Sequence, residues 1–244
     1  PVEIIFDTET DARITFGGRT TSIERFDYYL TRTDGDIKTD MMIGEWQLTV
    51  DFSASPNVSY PYYGDVLVFQ TVDRSTNPDI FDGCRAEDSL DGRCTQAAIA
   101  DHDASGFYQA STREHFLIVN DDPANFAYYI VKTGTYQFDG VMKICPKSLS
   151  NPTTQCLQSN NYRAFPVRGH RTASRSFVLN GSGPNVVEKA AHPQHASRSM
   201  ASVVGDTRLT EGLDHKAVKS RFSINLDDVP VAELNALIAR QQAK

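Results

Sequence analysis

The chain has 244 residues, 40% of them hydrophobic, with 24 Lys+Arg against 31 Asp+Glu and a net charge of −7. That apolar content excludes a disordered chain, and no run approaches the roughly 18 to 20 apolar residues of a membrane-spanning helix. Residues 1–159 carry −12 and residues 160–244 carry +5, so the sequence reads as an acidic body followed by a basic arm.

The chain begins at Pro1 rather than Met, which points to removal of an N-terminal segment, either a processed targeting peptide or a boundary imposed on the chain. Residues 1–52 then read as strands: VEIIF, ARITF, IERFDYYL and, after TRTDGD, GEWQLTVDF. In the last of these Trp46, Leu48, Val50 and Phe52 alternate with Gln47, Thr49 and Asp51, the period of a sheet with one buried face. Gly17-Gly18 and Asp34-Gly35 stand where tight turns are needed. A loop over 53–63, with two prolines and three tyrosines, leads to a compact strand at 65–72.

A long acidic loop follows over 73–103, and loops of that length are usually functional or mark a partner contact. The stretch 105–145 is the core of the reading: apolar and β-branched runs at 106–110, 116–120 and 126–142, separated by polar or glycine punctuation, predict an antiparallel meander. The predicted fold is mainly β, an antiparallel barrel of about eight strands over residues 1–160. An extended basic arm over 161–225 has one strand candidate, 176–180, and an amphipathic helix over 226–244 ends the chain. Asp227 or Asp228 is the expected N-cap, Pro230 lies in the first turn, and Val231, Leu234, Leu237 and Ile238 share a face.

Cys84 with Cys94 and Cys145 with Cys156 each close a short polar loop. Local pairing and an even count favour two disulfides in an oxidising compartment over free thiols, and neither spacing suits zinc. The sequons at Asn57 and Asn180 fit a secreted or lumenal chain if the source is eukaryotic. No metal and no cofactor is expected; a loose calcium site in the 79–91 loop is the best of the metal options, against a solvated acidic face. Gly-Xaa-Ser-Xaa-Gly and phosphate-binding loops are absent, which disfavours an ordinary hydrolase or nucleotide enzyme. His102 and His115 are the only histidines of the body and the only candidates there for acid–base work near neutral pH.

Gly64-Asp65-Val66-Leu67-Val68-Phe69 resembles the G-D-L-x-x-F strand opening of the allene oxide cyclase barrel family. The segment from Thr133 to Gly140, TGTYQFDG, resembles the T-G-x-[FY] turn-and-strand segment shared by that family and dirigent proteins, and Gly106-Phe107-Tyr108 resembles the G-F-Y strand of the latter. The resemblance covers at most residues 1–146. It implies an eight-stranded barrel with a ligand cavity and, with it, cofactor-independent cyclisation or isomerisation of a hydrophobic molecule held in one conformer; no catalytic residue carries over.

Tyr28, Trp46, Asp65, Tyr108, His115, Tyr128 and Tyr136 are the candidate cavity residues, with aromatic core packing as the alternative reading of the rings. Tyr28-Tyr29 and Tyr128-Tyr129 must each split across the two faces of a strand. The arm's cations are too spaced out, and aromatic residues too sparse among them, for nucleic-acid binding. An ordered arm so poor in apolar residues needs another surface, a neighbouring copy or a larger assembly. Two functions follow: a secreted binding or assembly subunit acting through its barrel and arm, or a cyclase or isomerase of the resembling type.

Overall fold

The computed structural model describes residues 2–6, 11–24, 37–55, 60–85, 94, 103–134, 136–173, 200 and 224–243. Three strands, β1 (Val2–Phe6), β2 (Asp11–Phe16) and β3 (Arg19–Glu24), form a separate antiparallel sheet. Gly17 and Gly18, with φ of 57° and 76°, make the tight β2–β3 turn that only glycine enters without strain. The early strands expected in the barrel therefore lie outside it.

The barrel proper is built from β4 (Gly44–Asp51), β5 (Tyr62–Asp73), β6 (Ile80–Arg85), β7 (Ala104–Gln109), β8 (Glu114–Asn120), β9 (Asn125–Thr133), β10 (Gln137–Pro146) and β11 (Phe165–Ala173). Each strand pairs antiparallel with the next, and β11 returns to β4 with Val167 opposite Val50, so the sheet closes as an up-and-down barrel with no free edge. Two strands come from stretches that the sequence reads otherwise. β6 lies inside the expected loop 73–103, because its run IFDGCR mixes charge and glycine yet is buried on both sides. β11 lies inside the span given to the arm; its alternation is masked by Pro166, Arg168 and His170 on the outer face. Gly169 on β11 is required where it stands, since a Cβ there would fall onto the Phe138 ring.

Side-chain alternation sorts the strands into two cores. The lumen holds Trp46, Leu48, Val50, Leu67, Phe69, Phe81, Leu117, Val119, Ala127, Tyr129, Val131, Phe138, Met142, Phe165 and Val167. The outer wall of β7–β10 presents Phe107, Phe116, Ile118, Phe126, Tyr128, Ile130 and Val141, which are covered by the C-terminal segment. That segment is a 3-10 turn, Leu226–Asp228, followed by α2, Val231–Gln242. Asp227 and Asp228 sit in the turn rather than capping the helix: Asn225 accepts the Asp227 N–H at 3.2 Å, and Pro230 precedes the first helical residue. Leu234, Leu237 and Ile238 are buried against the chain's own wall, so the apolar face of α2 is already covered within this chain. Arg240 fixes the far end, donating to Asp73 at 2.8 Å and Asp82 at 2.7 Å, while Thr153 donates to Asn235 at 2.8 Å.

Both disulfides form. Cys145–Cys156, with Cα atoms 5.7 Å apart, ties β10 to a π-helical turn, Thr153–Leu157, that packs under α2. Cys84–Cys94, at 5.6 Å, anchors the end of β6, and Cys94 is held further by paired bonds with the Gln70 amide. The strand candidate 176–180 lies outside the described residues.

Candidate functional site

One end of the lumen is stoppered from within the chain. The short helix α1 (Ile37–Asp40) leads into Met41, Met42 and Ile43, all buried, and Met42 and Ile43 pack with the lumen residues at the opening. Arg171 donates to the carbonyls of Ile43, at 2.7 Å, and Met41, and its guanidinium lies 4.2 Å from the Trp46 ring centroid. Trp46 Nε1 donates to Met42 O at 2.9 Å, and His115 Nε2 lies 2.6 Å from Lys38 O with the Tyr108 ring 5.0 Å away. Arg74 joins Asp40 to Asp79 at 2.6 and 2.7 Å. Trp46, Tyr108 and His115 therefore meet at this end, bound up in its closure.

The other end carries the chemistry. β5 and β6 turn Asp65 and Arg85 into the lumen, β9 turns Tyr129 in, and Asp121 follows the last residue of β8, about 20 Å along that strand from His115. Arg85 Nε donates to Asp65 Oδ2 at 3.0 Å, Nη2 to Asp121 Oδ1 at 2.9 Å and Nη1 to the Asp121 carbonyl at 3.1 Å. Asp65 also accepts the Val66 N–H at 2.8 Å, and Asp103 accepts the Arg85 N–H at 3.1 Å. The side chains of Arg85, Asp65 and Asp121 are 4%, 1% and 0% exposed, so the ionic cluster is enclosed by protein.

Burial works against the Arg85 charge, but the Asp65 and Asp121 carboxylates outweigh it and hold the guanidinium protonated. Burial, with the same two carboxylates adding to it, pushes the Tyr129 hydroxyl well up, so it is a hydrogen-bond donor at neutral pH and not a base. The Tyr129 O–H donates to Met200 Sδ at 3.4 Å, and the Met200 N–H donates to Asp121 Oδ1 at 2.9 Å. Met200, the one described residue between 173 and 224, is fully buried in the lumen cluster.

Of the seven cavity candidates, Asp65 alone belongs to this cluster. Tyr128 faces outward beneath the C-terminal segment and Tyr129 faces inward, so the pair does split across the strand, with the inner place going to the second tyrosine. The buried Tyr128 hydroxyl has no hydrogen-bond partner among the described residues, and burial raises its pKa. Tyr136 is 43% exposed, in the turn before β10. Tyr28, Asn57, Asn180 and His102 lie outside the described residues.

In the 79–91 stretch considered for calcium, Asp79 pairs with Arg74, and Asp82 accepts from Arg240 and Ser105, so both carboxylates already have partners. Arg85, Asp121 and Met200 escaped the sequence reading. The place of Arg85 directly after a half-cystine was the one available signal for it; for Met200 none existed. Comparison with protein-family models, curated proteins and solved structures returns no match.

Proposed function

We propose that this chain is a binding barrel of an oxidising, secretory or lumenal compartment, and that it takes a small hydrophobic molecule at the Arg85 end of its lumen. The observation that carries this reading is the enclosed Asp65–Arg85–Asp121 cluster, with the Tyr129 hydroxyl beside it, in a lumen lined mainly by apolar side chains. Desolvating two carboxylates and a guanidinium is costly, and a well-packed apolar replacement is usually as stable or more so. A few convergent polar groups on apolar walls are the usual make-up of a small-molecule site, and an eight-stranded barrel is wide enough to be filled by side chains or to hold one small ligand. The two disulfides support the compartment.

The second reading, a cofactor-independent cyclase or isomerase, draws support from the same donors. Guanidinium and phenol hydroxyl orient a substrate oxygen, while a tyrosine that keeps its proton is a poor base. Any turnover would then rest on holding one conformer.

Native mass spectrometry of the protein purified from its own source tests the binding reading. A reproducible small-molecule adduct, released on denaturation and weakened in Asp121→Asn, is the expected result. An adduct-free protein, or an adduct untouched by that substitution, would contradict it.

A further inference from the structure

The three-stranded sheet is where the chain shows strand edges. The barrel closes on itself, so among the described residues the edges left outside it are those of β1 and β3. A strand edge presents backbone N–H and C=O groups to any strand that fits, and proteins blunt such edges with charge, proline or bulges. β3, RTTSIE, is polar along most of its length and charged at both ends. β1, VEIIF, runs in unbroken register with β2, carries one charge, and leaves Val2, Ile4 and Ile5 57%, 49% and 42% exposed. Of the eight large hydrophobic side chains exposed among the described residues, four, these three and Phe16, belong to this sheet, which makes it the apolar surface that a partner would cover.

The sequence of β1 says which strand fits. Two copies of one strand meet antiparallel about a two-fold axis normal to the sheet, which sets one residue against itself and keeps each face continuous. With the axis at Ile4 all of β1 pairs: Ile4 against Ile4, Val2 against Phe6 and Glu3 against Ile5. With the axis at Glu3 two carboxylates stand directly opposed, and with it at Ile5 the first two residues of β1 find no partner. Ile4 already stands opposite Ile14 of β2, so the Ile4 axis also lines up four isoleucines, two from each copy, in one row across four strands. Cross-strand pairs of β-branched residues on one face are what stabilise a sheet. Pairing β1 with β3 of another copy would set its isoleucines among threonine and serine and, being head-to-tail, would leave an edge open on each new copy.

We propose that β1 is a homodimerisation edge: it pairs with β1 of a second copy about a two-fold at Ile4 and joins the two sheets into one of six strands, in the order β3-β2-β1-β1-β2-β3. The pairing covers the apolar edge of both copies at once and closes, because each copy offers the same strand to the other. It does not rest on the binding reading.

Sedimentation velocity of the full chain over a concentration series tests this. Wild type is expected to pass from the mass of one chain to that of two as concentration rises. Ile4→Lys, which sets two ammonium groups against each other at the axis, is expected to dimerise at least about tenfold more weakly with an unchanged circular dichroism spectrum. Directly opposed residues of an antiparallel pair have Cα atoms about 4.5–5.5 Å apart, within reach of a disulfide, and the four native cysteines are already paired. Oxidised glutathione is therefore expected to cross-link Ile4→Cys into a covalent dimer and to leave Glu3→Cys, whose two copies lie on the diagonal at roughly 7–8 Å, as single chains. That cross-link reads the register whatever Ile4→Lys does to the sheet. A chain that stays monomeric up to about millimolar concentration would overturn the proposal, as would a dimer indifferent to Ile4→Lys and not cross-linked through Ile4→Cys. Cross-linking of Glu3→Cys in preference to Ile4→Cys would overturn the Ile4 axis, and assemblies that grow beyond two chains would overturn the closed pairing.

Discussion

Arg85 is the residue on which the interior turns. It makes two side-chain contacts to carboxylates and one to a carbonyl while nearly unexposed, so removing it alone takes from buried Asp65 and Asp121 the guanidinium that both accept from. Arg85→Met should therefore destabilise the fold by about 3–5 kcal/mol, read from urea unfolding. A loss within 0.5 kcal/mol would show that the cluster is solvated or neutralised and that the account of it is wrong. At this scale the sequence was partly legible. Strand parity requires that one of Tyr128 and Tyr129 face inward, and the structure assigns that place to Tyr129. Parity says nothing of which face closes on itself, because both faces of β8 and β9 are apolar and both are covered, one by the lumen and one by the C-terminal segment. Met200 was illegible for another reason: residues 181–220 show no sustained period that would single it out.

Among the elements, those with clean alternation, unbroken apolar runs or a helical stripe were legible: β4, the β7–β10 meander and α2. β6 and β11 were not, since charged or proline residues interrupt their apolar pattern and only pairing within a closed barrel makes strands of them. The hold of α2 on the barrel depends on pH through Asp73, whose pKa is lowered to about 2, chiefly by the Ser75 hydroxyl and then by Arg240. A carboxylate depressed in the folded state contributes stability above its unfolded value of about 3.9, and that contribution fades as pH falls toward about 2. Amide exchange in 231–242 should accelerate across that window, and Arg240→Ala should raise exchange already at neutral pH; indifference of α2 to both changes would show that its apolar face alone holds it. The disulfides act on the same parts, Cys84–Cys94 behind Arg85 and Cys145–Cys156 beneath α2. Loops of this size contribute up to roughly 3 kcal/mol each, so reductant should lower the melting temperature clearly. An unchanged melting temperature in reductant would mean that neither bridge carries stability.

Among the described residues, the closed barrel is stoppered at one end by Met42 and Ile43 after α1 and filled at the other by Met200 around an ionic cluster. A barrel needing only stability would do as well with apolar residues throughout its lumen, as it has around Trp46, Phe69, Phe81 and Phe138. On the proposed binding reading, the departure at Asp65, Arg85 and Asp121 serves recognition. The measurement that tests it most directly is a paired one on the triple variant Asp65→Leu, Arg85→Met, Asp121→Leu produced in the native source: thermal melting, and native mass spectrometry for the small-molecule adduct. The expected result is a barrel that melts no lower than wild type and carries no adduct. A variant that melts far below wild type yet still carries the adduct would make the cluster a structural feature and place any ligand elsewhere.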